Sequence, residues 1–292
     1  MPDDYEVHLG DCIPHMLEAM LPASVDMAVF SPPFPSLYSY TSLPGDIGNS
    51  EDMRGDAKLH LGFFYRGLAR VLKPGRVAAV HVMQIPRLKR SGEVGLHDFR
   101  GLNIRIAERS GLVYEYDWCV RKNPQAQAIR TRSRELQFAG LEGDRAKSRG
   151  ALADYILKFR APGDNAVPVE ARGQVTRNQW IEWAESSWLD IAETDTLNVR
   201  GTKGEGDTRH ICPLQLGVID RLIRLYSDPG ETVFSPFAGI GSEGYVALGL
   251  GRKFYGCEIK PEYYATCLKN LKYAADRAGV VAESLFPCTV AD

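Results

Sequence analysis

The chain has 292 residues, of which 44% are apolar and 25% are charged, and its formal net charge at pH 7 is −2. This composition is that of an ordinary globular protein and excludes a disordered chain, a collagen and a coiled coil. The length allows about two domains or one large α/β domain, with a core that needs neither disulfides nor metal to fold.

The cysteine pattern and the N-terminal residues indicate in which cellular compartment the protein is found. No cysteine belongs to a C-x-x-C pair, so we expect no structural zinc and a reducing compartment. The first residues are acidic, where a signal peptide is basic and then apolar, and no run approaches the ~18 apolar residues of a membrane span. We therefore expect a cytoplasmic protein. The cysteines are Cys12, Cys119, Cys212, Cys257, Cys267 and Cys288.

Positive charge is concentrated between Arg121 and Arg160. Ten lysines and arginines stand there against four acidic residues, so the segment carries +6 and the rest of the chain carries −8. A basic segment in an otherwise acidic protein suits a surface that faces phosphates. A solvated loop with ordinary surface charges is the alternative explanation.

Short apolar runs alternate with helical patterns along the chain, which predicts an α/β fold: a Rossmann-like, mostly parallel sheet with helices on both faces. In chain order the predicted elements are strand Val25–Phe30, helix Leu59–Leu72, strand Arg76–Met83, helix Asp98–Ser110, strand Leu112–Val120, strand Ala151–Arg160, helix Pro213–Tyr226, strand Glu231–Phe234, helix Ser242–Leu250, strand Lys253–Glu258 and helix Pro261–Ala278.

Two stretches interrupt this alternation. Residues 123–150 are polar and arginine-rich, and residues 161–205 contain three tryptophans with little periodicity. We interpret both as insertions into one core rather than as separate domains. The division we expect is a core half at 1–122, a basic insertion at 123–150, a core strand at 151–160, a second insertion at 161–205 and the other core half at 206–292.

A glycine turn lies between a predicted strand and a predicted helix. Gly239 and Gly241 would allow backbone N–H groups at the helix start to approach a carboxylate or phosphate of a ligand. Glu258 ends the next strand, where a carboxylate can accept both hydroxyls of a ribose. A tight turn with a surface glutamate explains the same residues, and a nicotinamide-dependent enzyme also remains possible at this point.

The tetrapeptide Ser31-Pro32-Pro33-Phe34 follows the first predicted strand. Two prolines fix the backbone and remove two donors, so the neighbouring carbonyls are held rigidly at the sheet edge where α/β proteins bind ligands. A hydroxyl before the prolines and an aromatic ring after them suit an amino group on a flat heterocycle. A proline-rich turn with a buried phenylalanine is the structural alternative.

Together these motifs resemble the S-adenosylmethionine-dependent amino-methyltransferases of DNA, which act on adenine N6 or cytosine N4. Their catalytic motif has the form (Asp/Asn/Ser)-Pro-Pro-(Tyr/Phe/Trp). The order of the parts resembles the permuted β-group, with Leu9-Gly10-Asp11-Cys12 before the catalytic motif and the cofactor glycines near the C-terminus. The resemblance covers residues 5–85 and 205–275, and it includes the stretch R-H-I-C-P-L-Q-L and the Tyr263-Tyr264 that follows Glu258.

The resemblance implies a class I methyltransferase-like fold, S-adenosylmethionine as cofactor, double-stranded DNA as partner and a possible homodimer. Direct displacement of the methyl group by the amino nitrogen of a flipped base would need no metal and no cysteine nucleophile. The implied catalytic residues are Ser31, Pro32, Pro33 and Phe34. The implied cofactor-binding residues are Asp11, Cys12, Pro213, Gln215, Phe237, Gly239, Gly241, Ser242 and Glu258.

Two positions depart from the family pattern. Ser235 replaces the usual aspartate before Pro-Phe, and Cys212 separates His210 from Pro213. Ser31 resembles the cytosine-N4 subset, yet a hydroxyl and a carboxylate can both accept from either amine, so adenine and cytosine both remain open. For DNA contacts, the basic segment and its amides point to groove and backbone binding. The residues expected to bind DNA are Arg121, Lys122, Gln127, Arg130, Arg132 and Arg134.

Three other functions are compatible with parts of the pattern. A methyltransferase for RNA or a small molecule would share the core, although a small substrate does not need the basic segment. A catalytically silent DNA-binding regulator would not need an intact Ser-Pro-Pro-Phe. A dinucleotide oxidoreductase would need a further half-domain after the glycine turn, where only about fifty residues follow. The sequence favours the DNA methyltransferase.

Overall fold

A computed structural model of the chain describes residues 4–35, 41–49, 55–87, 95–125, 127, 141–170, 173–197 and 213–285. Within this part, one eight-stranded sheet has the order β1-β10-β9-β2-β3-β7-β6-β8. The strands are β1 Tyr5–Leu9, β2 Val25–Phe30, β3 Leu72–Met83, β6 Val113–Val120, β7 Asp154–Arg160, β8 Ser187–Trp188, β9 Thr232–Ser235 and β10 Lys253–Glu258, and the short strands β4 Ile85–Pro86 and β5 Leu96–His97 form a separate pair.

Helices cover both faces of the sheet. One apolar layer joins α2 and α3 to the side of β2 that carries Ala28 and Phe30, and a second joins α5, α6 and α7 to the side that carries Met27 and Val29. The alternation of side chains along a strand produces this division. The helices are α1 Cys12–Pro14, α2 Asp56–Val71, α3 Phe99–Arg109, α4 Arg177–Trp183, α5 Leu216–Tyr226, α6 Ser242–Gly249 and α7 Pro261–Leu285.

The directions of the strands place the carboxyl ends of most of them at one edge of the sheet. The five neighbouring strands β1, β10, β9, β2 and β3 are parallel, so all five end at this edge. β7 is antiparallel to both β3 and β6, so β7 begins where those two strands end. Ligands bind at the carboxyl edge of such sheets because the loops that leave it diverge around a crevice.

The predicted fold class is confirmed, and each predicted strand and helix is present, with shifted ends except for Val25–Phe30 and Lys253–Glu258. Helix α5 begins at Leu216 rather than Pro213, because Gln215 is extended with ψ of 134°. The elements that were not predicted are β1, α4 and β8 and the very short α1, β4 and β5. β1 is an edge strand with a single buried residue, so its pattern is weak.

The described part of the stretch 161–205, which was expected to be an insertion, contributes a strand to the main sheet. β8 pairs with β6, and Trp188 is fully buried against the Trp118 ring, with 5.3 Å between ring centroids. The indole N–H groups of both tryptophans donate to the Trp183 carbonyl. This part of the segment therefore completes one end of the core.

Candidate active site

The proline tetrapeptide and the glycine turn lie side by side. β2 pairs with β9 through Met27 with Val233 and Ala28 with Phe234, so the loops after the two strands leave the sheet as neighbours. Both loops line one pocket. The loop after β2 contributes Ser31, Pro32, Pro33 and Phe34, and the loop after β9 contributes Pro236, Phe237, Ala238, Gly239 and Ile240.

Most of the expected cofactor-binding residues line this same pocket, namely Asp11, Cys12, Pro213, Phe237, Gly239, Ser242 and Glu258. Gln215 and Gly241 do not. Gln215 is buried nearby, and its side-chain oxygen has no hydrogen-bond partner among the described residues. The Ser242 hydroxyl lines the pocket and is also buried without a partner in that part of the chain. Buried polar atoms are almost always paired, so these two atoms fit a site that is completed by a ligand.

The two glycines of the turn have different structural roles. Both have positive φ, at 53° for Gly239 and 87° for Gly241. A Cβ on Gly239 would meet open space, whereas one on Gly241 would stand 2.9 Å from Cys267 Sγ. The Gly241 N–H also donates to the Ala238 carbonyl at 2.7 Å. Gly241 therefore shapes the turn and the α6–α7 contact, and its expected part in binding the cofactor stays a prediction.

Glu258 closes the floor of the pocket. Its carboxylate accepts from the backbone N–H groups of Gly239 and Lys260, each at 2.8 Å. Burial raises its pKa to about 7 despite these hydrogen bonds. Its position at the end of β10 is the one predicted for a group that accepts ribose hydroxyls.

The sequence analysis missed Glu243. It lies in the first turn of α6, lines the pocket and is almost completely buried. Burial raises its pKa to about 8, and the nearby Glu258 adds to the shift. An acid directly after Gly-x-Gly-Ser was the available signal. With Asp11 and Asp46, four acidic side chains surround the pocket, so a ligand that donates hydrogen bonds or carries positive charge fits best.

Ser31 is joined to polar groups that the sequence analysis also missed. Its hydroxyl lies 3.1 Å from His81 Nδ1 and 3.3 Å from the His81 carbonyl. Phe34 is buried, with its ring edge-to-face against Phe99. The Phe34 ring thus forms part of the pocket wall and is held rigidly by the core.

The sequence model of the N6/N4 methyltransferase family, described as DNA methylase, matches residues 25–269. The chain belongs to the DNA methylase family. Among curated relatives, DNA adenine methyltransferase YhdJ of Escherichia coli K12 is 43% identical over 58 residues, which is 20% of either chain. Type II methyltransferase M.BglI of Bacillus subtilis is 27% identical over 120 residues, which is 41% of this chain and 30% of that one. The matches thus span less than a third of these relatives.

Solved DNA methylases share the fold over nearly the whole chain. The putative DNA modification methylase TTHA0409 of Thermus thermophilus, complexed with S-adenosyl-L-methionine, superposes with a TM-score of 0.67 at 21% identity over 93% of this chain and 94% of that one. The cytosine-N4-specific PvuII DNA methyltransferase superposes with a TM-score of 0.63 at 16% identity over 94% and 93%.

The residues that were expected to bind DNA have different surroundings. Arg121 is exposed at the end of β6. The Lys122 side chain is only 8% exposed and pairs with Asp154 at 2.7 Å. Gln127 is buried, and its amide exchanges two hydrogen bonds with the Leu152 backbone. Both side chains are thus engaged inside the protein, and their contact with DNA stays a prediction. Arg130, Arg132 and Arg134 lie outside the described residues, as do His210 and Cys212.

None of the helices in the described part of the chain has both the length and the apolar character needed to cross a membrane. In the same residues no group of three or more histidine, cysteine, aspartate or glutamate side chains is arranged to hold a metal ion.

Proposed function

We propose that the chain transfers a methyl group from S-adenosylmethionine to the exocyclic amino group of a base in DNA, either adenine N6 or cytosine N4. The observation that carries the proposal is the shared pocket of the Ser31–Phe34 loop and the Gly239 turn. A methyl donor and an amino acceptor must meet within a few ångströms for in-line displacement, and adjacent loops provide that proximity.

The pocket suits S-adenosylmethionine. When bound, this cofactor supplies an electrophilic methyl group on a positively charged sulfur. Glu258 would accept the ribose hydroxyls, and the open space over Gly239 gives room for close approach to the backbone. The Ser242 hydroxyl, which lines the pocket, would provide a further polar contact. The acidic lining favours a ligand with a cationic sulfur and an ammonium group.

The proline tetrapeptide would bind the target base. Ser31 Oγ and the Pro32 carbonyl would accept the two amino hydrogens, which leaves the nitrogen lone pair free to attack the methyl carbon. The buried Phe34 would pack against the base. These acceptors face the positive charge that develops on nitrogen, so they stabilise the transition state more than the bound substrate.

The position of the basic segment supports a DNA substrate. β6 ends and β7 begins at the pocket edge, so the chain between them leaves the sheet and returns to it beside the pocket. We propose that residues 123–150 contact DNA there and that the core halves are 1–122 and 206–292. A base inside a duplex is inaccessible to this pocket, so the target nucleotide would be flipped out. A homodimer remains part of this proposal, and sedimentation would test it.

Methylation of DNA is tested directly with labelled S-adenosylmethionine and unmethylated duplex. Nucleoside analysis after incubation is expected to give labelled N6-methyladenine or N4-methylcytosine, and the product identifies the base. Matched single-stranded RNA in a parallel reaction separates the RNA alternative. A protein that binds the cofactor but labels neither nucleic acid would support the silent-regulator alternative and overturn the proposal.

Replacing Arg121 by alanine is expected to weaken DNA binding and to reduce the slope of log affinity against log salt by about 1, because one phosphate contact is lost. Fluorescence anisotropy over a salt series measures both quantities. Arg109 provides a matched control, since it is exposed at the end of α3, at the opposite edge of the sheet. Equal slopes for wild type and the Arg121 variant would show that DNA binds to another surface of the protein.

A further inference from the structure

A row of polar side chains leads from the pocket wall into the protein. Ser31 Oγ lies 3.1 Å from His81 Nδ1, and His81 Nε2 lies 2.8 Å from Asp154 Oδ2. Lys122 Nζ lies 2.7 Å from the same Asp154 oxygen. The four groups come from four places at the carboxyl edge: after β2, within β3, at the start of β7 and just after β6.

We propose that His81 accepts the proton released in the methyl transfer, an inference that rests on the proposed function. The proton reaches His81 through Ser31, and Asp154 and Lys122 fix the position of the His81 ring. In this arrangement Ser31 is the group that touches the substrate amine, His81 is the base behind it, and the other two are positioning residues.

The proton balance of the reaction requires such an acceptor. When the amino nitrogen forms its bond to the methyl carbon and the carbon–sulfur bond breaks, the nitrogen becomes positively charged and must lose one of its hydrogens. That proton passes to Ser31 Oγ while the Ser31 hydroxyl proton passes to His81 Nδ1. The products are the neutral methylated amine, an unchanged serine, an imidazolium and the neutral thioether. A serine hydroxyl alone is too weak a base for this step.

The hydrogen-bond pattern prepares His81 for this role. Asp154 accepts at Nε2, which fixes the ring proton on that nitrogen and leaves the Nδ1 lone pair directed at Ser31. The His81 side chain is 12% exposed and that of Asp154 is 6% exposed, so bulk water does not readily replace either contact. A carboxylate behind the ring also stabilises the imidazolium that forms.

Lys122 keeps Asp154 charged. Burial alone would raise the pKa of Asp154, but His81 and Lys122 outweigh burial and hold that pKa below its usual value. The charged and titratable groups that the described residues place around His81 are Asp154 from β7, Lys122 from the end of β6 and the Cys119 thiol of β6, whose pKa is raised by burial and by Asp154. An isolated buried carboxylate would be costly, so the lysine accounts for its ionised state.

The test is a single-turnover methylation assay with saturating cofactor across a pH range. His81→Gln is expected to slow the wild-type rate at least 10²-fold and to abolish the fall in rate at acid pH, where a protonated imidazole cannot accept. Affinities for S-adenosylhomocysteine and DNA should be unchanged. His97→Gln, on the outer β4–β5 pair, is the matched control. A purely structural role for His81 would not remove the pH dependence.

Substitution of Asp154 provides a second test of the proposal. Asp154→Asn is expected to slow transfer at least tenfold, and the His81→Gln, Asp154→Asn double variant should be no slower than His81→Gln alone, because the two act as a unit. If Asp154→Asn does not fold, addition of imidazole to His81→Ala should restore part of the rate. A His81→Gln rate within threefold of wild type, with the same pH profile, would overturn the relay. If wild type labels no DNA, the proposed function itself fails.

Discussion

Replacing Ser31 by alanine is expected to lower the rate of methyl transfer about 10²–10³-fold, with the affinity for the cofactor unchanged. The hydroxyl is the group aimed at the amine on which charge develops, and removing one such acceptor or donor from a water-excluded site has effects of this size. The serine also connects the pocket to His81. Single-turnover methylation of duplex DNA, together with equilibrium binding of S-adenosylhomocysteine, measures the two quantities separately.

Ser186→Ala is the control for this substitution, since Ser186 is exposed ahead of β8. Its rate should equal that of wild type. A Ser31→Ala protein that methylates at the wild-type rate would exclude Ser31 as the group that contacts the amine. Loss of cofactor affinity in the same variant would instead indicate a collapsed pocket.

Replacing Glu243 by glutamine is expected to change the pH dependence of stability. Burial raises the pKa of Glu243 in the folded protein to about 8, above its ordinary value of 4.5. Between these pH values the folded state holds a proton that the unfolded state has released. Stability therefore falls as pH rises through this window, and glutamine, which does not titrate, removes the effect.

The expected size follows from about 1.4 kcal/mol per pH unit. Between pH 5 and pH 8 the free energy of unfolding of the glutamine variant should rise relative to wild type by about 3 kcal/mol, as measured by urea unfolding without cofactor. Glu262→Gln, at an exposed position in the first turn of α7, should track wild type. Parallel curves for wild type and the Glu243 variant would show that Glu243 is ionised in the folded protein.

The local sequence pattern predicted the main helices and strands and the Ser31–Phe34 motif, because these depend on residues that are close in sequence. The predicted strand Val25–Phe30 has the same bounds as the observed strand, because an apolar run that is followed by two prolines has a clear end. Glu258 was identifiable because it ends a predicted strand, and Asp11 was implied by the family resemblance. The arrangement of these residues in one pocket needed only the parallel order of the strands.

His81 and Asp154 could not be predicted in this way. Each is one polar residue at the end of an apolar strand, and 73 residues separate them in sequence. Only the antiparallel entry of β7 beside β3 brings them together, and periodicity does not encode strand direction. The internal pairing of Lys122 and Gln127 could not be predicted either: their charge and polarity suggested a surface, but the residues that pair with them lie elsewhere in the chain.

The central position of β2 has a consequence for synthesis on the ribosome. β2 pairs on one side with β3 and on the other with β9, which is more than 200 residues later in the chain. Until β9 has been translated, one long side of the strand that precedes the proline motif lacks its native neighbour, and the methyl-donor half of the pocket does not exist. N-terminal fragments should therefore be catalytically inert and prone to self-association through this uncovered edge, which makes a late-emerging strand the step that commits the nascent chain to an active form.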